Sequence, residues 1–151
     1  MFSFLEWPVY SYSLPRPIVA RPGYPSNPKS IGEHLRKRRI DLGLFQRQAA
    51  EQIGVSEASV YNWERGTEPE IRHMPAIIRF LGYVPFPCPE DTLGRLRYFK
   101  MVNGLSFERL GAVMGRDPEQ LLDWISRGMR PCKRNIRSIN QFLQHNLKNI
   151  Y

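Results

Sequence analysis

The chain has 151 residues and carries 22 basic against 14 acidic side chains, a formal net charge of +8 at neutral pH. This length suits one medium-sized domain or two small ones. The charge favours a polyanionic partner, either nucleic acid or an acidic membrane surface, and is also compatible with simple solubility. The sequence has no apolar run long enough to span a membrane and does not begin like a signal peptide, so we expect no membrane partner and a cytoplasmic protein.

Few residues could support metal binding or catalysis. The two cysteines, Cys88 and Cys132, lie far apart, and the three histidines, His34, His73 and His145, are scattered. We therefore expect reduced thiols, no metal and no cofactor. No nucleophile or phosphate-loop pattern is present, so we expect no catalytic residues and no enzymatic activity.

Residues 1–29 differ in composition from the rest of the chain. Residues 1–30 hold six of the 13 prolines, which excludes a regular helix and favours an extended path. The segment is either an arm, packed on the domain, on a second subunit or along DNA, or a loosely ordered tail. Its aromatic residues, too many for an inert linker, are Phe2, Phe4, Trp7, Tyr10, Tyr12 and Tyr24.

The first helix is predicted over 31–42. Ser30 is placed to cap it, and Glu33 three residues later completes a capping box. Gly43 should end it in a left-handed conformation. Its core-facing stripe is predicted to be Ile31, Leu35 and Leu42.

Two short helices, 46–53 and 57–65, are predicted around a tight turn. Gly54 interrupts the apolar period and suits a positive φ angle, while the small side chain of Ala50 lets a second helix cross closely. Ser56 is a suitable N-cap for the second of these helices. Together these features indicate a helix-turn-helix. A loop over 67–72, a fourth helix over 75–81 and a proline-marked linker over 84–90 follow.

At these residues the sequence resembles a known family. The runs RIDLGLFQ (39–46), GVS (54–56) and WERG (63–66), with Pro69, are similar to the phage repressor and Cro type of helix-turn-helix protein, the xenobiotic-response-element family. The resemblance covers 31–82. It implies an all-α, lambda-repressor-like fold and sequence-specific binding of double-stranded DNA in the major groove. The implied role is that of a prokaryotic or phage transcriptional regulator, located at the nucleoid.

The resemblance also implies residue roles. Arg39 should pair with Glu64 near the phosphate backbone, and Gln46 should touch phosphate and support the recognition helix. Ser56 is either a phosphate contact or only a cap. The residues expected to bind DNA are Arg39, Gln46, Ser56, Glu57, Ala58, Ser59, Asn62, Arg65 and Arg72.

The chemistry of the exposed side chains of 57–62 agrees with base reading. An asparagine such as Asn62 can pair with adenine, Glu57 can accept from cytosine N4, and Ala58 can meet a thymine methyl. Three residues depart from the family pattern. Phe45 replaces a capping residue, Ala49 is smaller than the usual leucine, and the acidic Glu57 lowers non-specific affinity.

An internal repeat is predicted at an offset of 61 residues. It predicts that residues 91–145 form a degenerate second helix-turn-helix-like domain, after a first domain over 30–83, with a C-terminal tail over 146–151. The matching positions include Leu35 with Leu96, Gly43 with Gly104, Ala50 with Gly111, Gly54 with Gly115, and Trp63 with Trp124.

The second copy is predicted to lack a reading surface. Phe107, Asp123 and Ile125 stand where the first copy has Gln46, Asn62 and Glu64. Residues 90–151 nevertheless carry 11 basic and 6 acidic side chains. This copy could touch DNA non-specifically or hold a second subunit. Its excess charge lies at Arg127, Arg130, Lys133, Arg134 and Arg137.

Because one chain contains one reading surface, we expect a homodimer, formed through the N-terminal arm or the C-terminal domain. A protein-interaction module, such as an antitoxin or an assembly subunit, is the alternative. Within DNA biology, an excisionase or recombination-associated accessory factor is a further alternative to a regulator.

Overall fold

The structure is a computed structural model, and it describes residues 22–147. Those residues form α-helices joined by turns and one short 3-10 segment, without a strand, which confirms the predicted all-α class. Most of the predicted N-terminal arm, and residues 148–151 of the predicted tail, lie outside the described residues. The helices are α1 (Ile31–Asp41), α2 (Gln46–Ile53), α3 (Glu57–Glu64), α4 (Met74–Leu81), α5 (Thr92–Val102), α6 (Phe107–Met114), α7 (Pro118–Ile125) and α8 (Lys133–Asn146).

Helix α1 begins at the predicted capping box. The Glu33 amide donates to Ser30 Oγ at 3.2 Å, and Glu33 Oε2 accepts from the Ser30 amide at 3.3 Å. The predicted core position of Leu42 is wrong, because α1 ends at Asp41 and Leu42 is 44% exposed. Leu44, beyond the turn, packs against the core instead.

The turn between α2 and α3 has the predicted form. Gly54 has φ 84°, a conformation that costs side-chain-bearing residues energy, and Ala50 is buried below it. The first turn of α1 crosses the end of α3 at close range. A Cβ atom on Gly32 would lie 1.8 Å from the carbonyl oxygen of Trp63, so this crossing requires glycine.

Helix α4 closes the first core. Its residues Ile77, Phe80 and Leu81 are buried with Leu35 of α1, as expected from their spacing. The region predicted as a loop over 67–72 is partly regular, because Ile71–His73 forms a 3-10 turn that leads directly into α4. The proline in the first turn of α4 is accommodated because that position needs no amide donor.

Helices α5–α8, the second helix set, follow the first helix set (α1–α4) in order. Helices α5, α6 and α7 have the same lengths as α1, α2 and α3 and begin 61 residues after them. These correspondences support the predicted repeat, which stays a prediction. Helix α8 runs to Asn146, and Leu147 is buried, so the second core extends past residue 145. Its buried side chains include Leu96, Leu110, Leu121, Trp124, Ile139 and Leu143.

The two helix sets contact each other through the predicted linker. Phe86 packs against both cores, and its ring meets Tyr98 edge-on with centroids 5.6 Å apart. A Cβ atom on Gly104 would lie 2.8 Å from Pro75 Cδ, so the α5–α6 turn also presses on the start of α4. Residues 84–90 therefore join two surfaces that touch each other.

Residues 22–29, the part of the predicted N-terminal arm that the structure describes, lie on α1. Tyr24 donates a hydrogen bond to Asp41 at 2.8 Å, and the ammonium of Lys37 lies 5.3 Å from the Tyr24 ring centroid. Hydrogen bonds of the Lys37 ammonium to Tyr24 and Asp41 raise the pKa of Lys37. Residues 22–29 are thus attached to the first helix set.

Candidate nucleic-acid interface

Helix α3 has one buried and one exposed side. Val60 and Trp63 are buried in the first core. Glu57, Ala58 and Asn62 are exposed, which is where the sequence predicts base-contacting side chains. The helix therefore presents a carboxylate, a methyl group and a carboxamide to solvent from one short stretch of backbone.

The start of α3 is fixed by its cap. Ser56 Oγ accepts from the Ser59 amide at 3.2 Å and lies 2.8 Å from Ser59 Oγ. The predicted cap at Ser56 is confirmed. Ser59 is half-buried, and its hydroxyl takes part in this capping contact, so it is less available than its exposed neighbours.

The end of α3 is held by a network of three charged or polar side chains. Arg39 donates to Glu64 through Nε at 2.6 Å and through Nη2 at 2.8 Å. The amide of Gln46 donates to Glu64 Oε2 at 2.9 Å. The Glu64 side chain is only 4% exposed, so its charge is compensated by these partners rather than by water. The predicted Arg39–Glu64 pair is confirmed.

This network restricts what Arg39 and Gln46 can do. Arg39 also donates through Nη1 to the carbonyl of Leu44 at 3.1 Å, and its side chain is 16% exposed. Three of its five N–H donors are therefore engaged inside the protein. Arg39 therefore holds α3 against α1, while the half-buried Gln46 keeps its carbonyl oxygen free of these bonds.

Phe45 precedes α2 at the edge of this surface. Its side chain is 77% exposed and cannot accept a hydrogen bond, so the predicted loss of an N-cap is confirmed. Gln48 keeps half of the capping arrangement, because its Oε1 accepts from the Phe45 amide at 2.9 Å. This bond was not predicted from the sequence, although a Gln three residues after the cap position is typical of it.

Two predicted DNA-binding arginines have partners within the protein. Arg65 donates to the Tyr61 hydroxyl at 3.1 Å, and its guanidinium lies 5.3 Å from the centre of that ring. Arg72 forms an ion pair with Glu70 at 3.0 Å. Arg72 and Glu70 are both well exposed, so their pairing is weak in water and open to competition. Arg65 sits beside the exposed face of α3, whereas Arg72 lies in the 3-10 turn.

The equivalent positions of the second helix set form a different contact. Lys100, Phe107 and Ile125 replace Arg39, Gln46 and Glu64. The Lys100 ammonium lies 4.3 Å from the Phe107 ring centroid, and burial lowers the pKa of Lys100. A cation–π contact thus takes the place of the hydrogen-bonded ion pair.

The exposed side of α7 is acidic but internally paired. Arg127 Nη1 lies 2.6 Å from Glu119 and 2.7 Å from Asp123, and these carboxylates raise the pKa of Arg127. Asp123 stands where α3 has Asn62. The position of the Asn62 amide is therefore taken by a carboxylate, and the acidic groups of this face disfavour phosphate.

The described residues offer little for other chemistry. No group of three or more His, Cys, Asp or Glu side chains between residues 22 and 147 is placed to hold a metal ion. Within the same range, no helix has the length and apolar character needed to cross a membrane.

Comparison with known families agrees with the predicted helix-turn-helix. Residues 35–87 match the family model HTH_3, described as helix-turn-helix. No curated protein and no solved structure matches the chain. The matched residues include α2, α3 and the network at Glu64. The chain therefore contains a helix-turn-helix DNA-binding domain of the kind found in transcription regulators.

Proposed function

We propose that this protein is a sequence-specific transcriptional regulator, of prokaryotic or phage type, that reads the major groove of double-stranded DNA with α3. The observation that carries the proposal is the exposed Glu57–Ala58–Asn62 face on a helix held at both ends. The Ser56 cap fixes its start, and the Arg39–Glu64–Gln46 network fixes its end. A rigid helix with polar side chains on its outer face is what direct reading requires.

The proposed roles follow from exposure. Asn62 pairs with an adenine, Glu57 accepts from a cytosine amino group, and Ala58 lies against a thymine methyl. Ser56, Gln46 and Arg65 face the sugar-phosphate backbone, Arg72 reaches the adjacent minor groove, and Arg39 positions α3. Ser59 supports the cap. Two such surfaces in a homodimer would read half-sites about 34–36 Å apart, at the nucleoid in the cytoplasm.

A specific observation favours a second function for part of the chain. Helix α6 exposes Val113 to 55%, and α7 carries Asp123 where α3 has Asn62. Because carboxylates repel phosphate, this surface suits a protein better than DNA. The second helix set would then hold a protein partner or second subunit, as in an antitoxin or a recombination-associated accessory factor.

Selection of binding sites from a random duplex library tests the main proposal. We expect full-length protein to enrich a defined site, and Asn62→Ala to relax preference at one position by about 1–3 kcal/mol. Gln120→Ala is the control, because it removes an exposed amide from α7, the helix equivalent to α3. Absence of any enriched site, or equal effects of both substitutions, would refute reading by α3.

A further inference from the structure

All the charged residues in the last part of the chain are basic. From Trp124 to Tyr151 the sequence contains no acidic residue. Besides Arg127, the structure places four exposed basic residues there, at the α7–α8 connection and on the first turns of α8. We call them the α8 basic surface: Arg130, Lys133, Arg134 and Arg137.

These four side chains are not used by the fold. In the described part of the chain none of them has an ion-pair or hydrogen-bond partner. The nearest acidic groups along the chain, Glu119 and Asp123, are bound by Arg127 instead. Lys133 and Arg134 also lie in the first turn of α8, where the helix dipole disfavours cations. The folded chain therefore gains nothing from this charge.

The orientation of the surface is fixed by the opposite side of α8. Ile139 and Leu143 are buried in the second core. Asn135 accepts from Arg116 at 3.1 Å, and Thr92 donates to Asn140 at 2.9 Å. Helix α8 is thereby attached to the rest of the set, and its basic residues are held outward.

The spacing of the charges fits an extended anion. Lys133 and Arg137 are four residues apart, and Arg134 and Arg137 are three apart, so they share a side of the helix. They span about 6 Å along its axis. An amphipathic helix that binds a membrane inserts its apolar side into the bilayer, whereas Ile139 and Leu143 on the apolar side of α8 are buried in the core. The row of phosphates along a DNA strand is the polyanion that fits.

We propose that the α8 basic surface binds the phosphate backbone of DNA and adds affinity, without sequence preference, to binding by α3. The proposal rests on the proposed function for the nature of the polyanion. The contact of Phe86 with both cores supports it, because that contact keeps the surface at a set position relative to α3. One chain would then hold DNA at two places, one selective and one not.

Salt dependence of binding tests this surface. We would compare full-length wild type with Arg134→Gln/Arg137→Gln, and use Arg79→Gln/Arg109→Gln as the matched control, since it removes two exposed, unpaired arginines elsewhere. Affinity would be measured against salt for the selected site and for a random-sequence duplex. We expect the slope of log affinity against log salt to fall by about 2 on both duplexes, with the ratio of specific to random affinity unchanged.

The outcomes separate this proposal from the previous one. A slope unchanged from wild type, or an equal fall in the control, overturns the α8 surface while leaving reading by α3 intact. A fall on random duplex in a protein that selects no site supports the surface and refutes reading by α3. If Arg134→Gln/Arg137→Gln instead loses binding only to phosphatidylserine vesicles, the surface is a membrane site and the proposal is wrong. Circular dichroism melts would check that both double variants are folded.

Discussion

Arg39 and Glu64 form a two-pronged ion pair, 2.6 and 2.8 Å long, that joins the end of α1 to the end of α3. The equivalent residues of the second helix set, Lys100 and Ile125, form no such pair. The first three helices of the two sets have the same lengths, so the pair is not needed to form helices of these lengths. It instead fixes the end of α3 against α1.

Substitution of Glu64 tests this distinction. We expect Glu64→Ala to lower the free energy of unfolding by about 3–5 kcal/mol, because it leaves Arg39 charged and uncompensated in a largely buried site. Replacing all three polar residues with those of the second set, Arg39→Lys/Gln46→Phe/Glu64→Ile, should cost less than the single change. Urea unfolding measures both. A triple variant less stable than Glu64→Ala would contradict this account.

The missing cap of α2 gives a prediction that can be compared with the cap present at the start of α6. Phe45→Ser should raise the free energy of unfolding by about 1 kcal/mol, because serine can accept from an α2 amide and the exposed phenyl ring loses little burial. Ser106 occupies the same position before α6 and accepts from the Arg109 amide at 3.2 Å. Ser106→Ala should therefore cost about 1 kcal/mol. Effects of the same sign in urea unfolding would count against the capping explanation.

Because α1 and α3 cross closely, we expect that the first turn of α1 cannot accept even a methyl group at the glycine of the crossing. Gly32→Ala should destabilise the fold by about 1–3 kcal/mol or more, because the added methyl would overlap the Trp63 carbonyl. The intrinsic preference of alanine for helix acts in the opposite direction, by about 1 kcal/mol. Thermal melting of the variant decides which effect dominates. A raised melting temperature would show that the crossing can widen freely.

The His34–Tyr83 contact predicts a pH dependence of stability. Burial lowers the pKa of His34, whose Nδ1 lies 2.8 Å from the Tyr83 hydroxyl; Glu33 opposes this shift and Lys37 adds to it. Because the folded-state pKa is below the unfolded value of about 6.5, protonation favours unfolding. Stability should be full above about pH 6.5 and fall as the pH drops toward the folded pKa.

Melting temperatures between pH 7.5 and pH 5.5 measure this effect. We expect wild type to lose stability over this range and His34→Gln to lose less, since glutamine cannot take up the proton. His145→Gln is the control, because His145 is exposed on α8. Parallel curves for wild type and His34→Gln would assign the pH dependence to other groups.

Local patterns were sufficient to predict much of the first helix set. Three residues each meet a local requirement: Gly54 allows a positive φ, Ala50 allows a close crossing, and Ser56 caps a helix. The bounds of α2 follow from these requirements. Leu42 was misplaced because helical spacing locates a face but does not show where the packing partner ends. The base-reading roles of Glu57, Ala58 and Asn62 stay predictions, since exposure permits a contact without naming the base.

Contacts between distant parts of the chain could not be predicted in this way. Tyr98 occupies the position equivalent to Lys37, yet it is buried against Phe86 rather than exposed. The repeat at an offset of 61 residues predicts the same environment for α1 and α5. Phe86, however, packs against Tyr98 on α5 and not against Lys37 on α1. For the same reason, residues 84–90 read as a linker although Phe86 belongs to both cores.

Because Phe86 packs against both cores, the first helix set cannot be cut from the second without exposing part of this side chain. The family match ends at residue 87, but a fragment cut there would expose the side of Phe86 that Tyr98 covers. We therefore expect the two helix sets to melt as one cooperative unit, and the excised fragment to melt at a lower temperature. Mutations that weaken the second set would then reduce the population of folded α3, so selection for any function of α3 would also act on the second set.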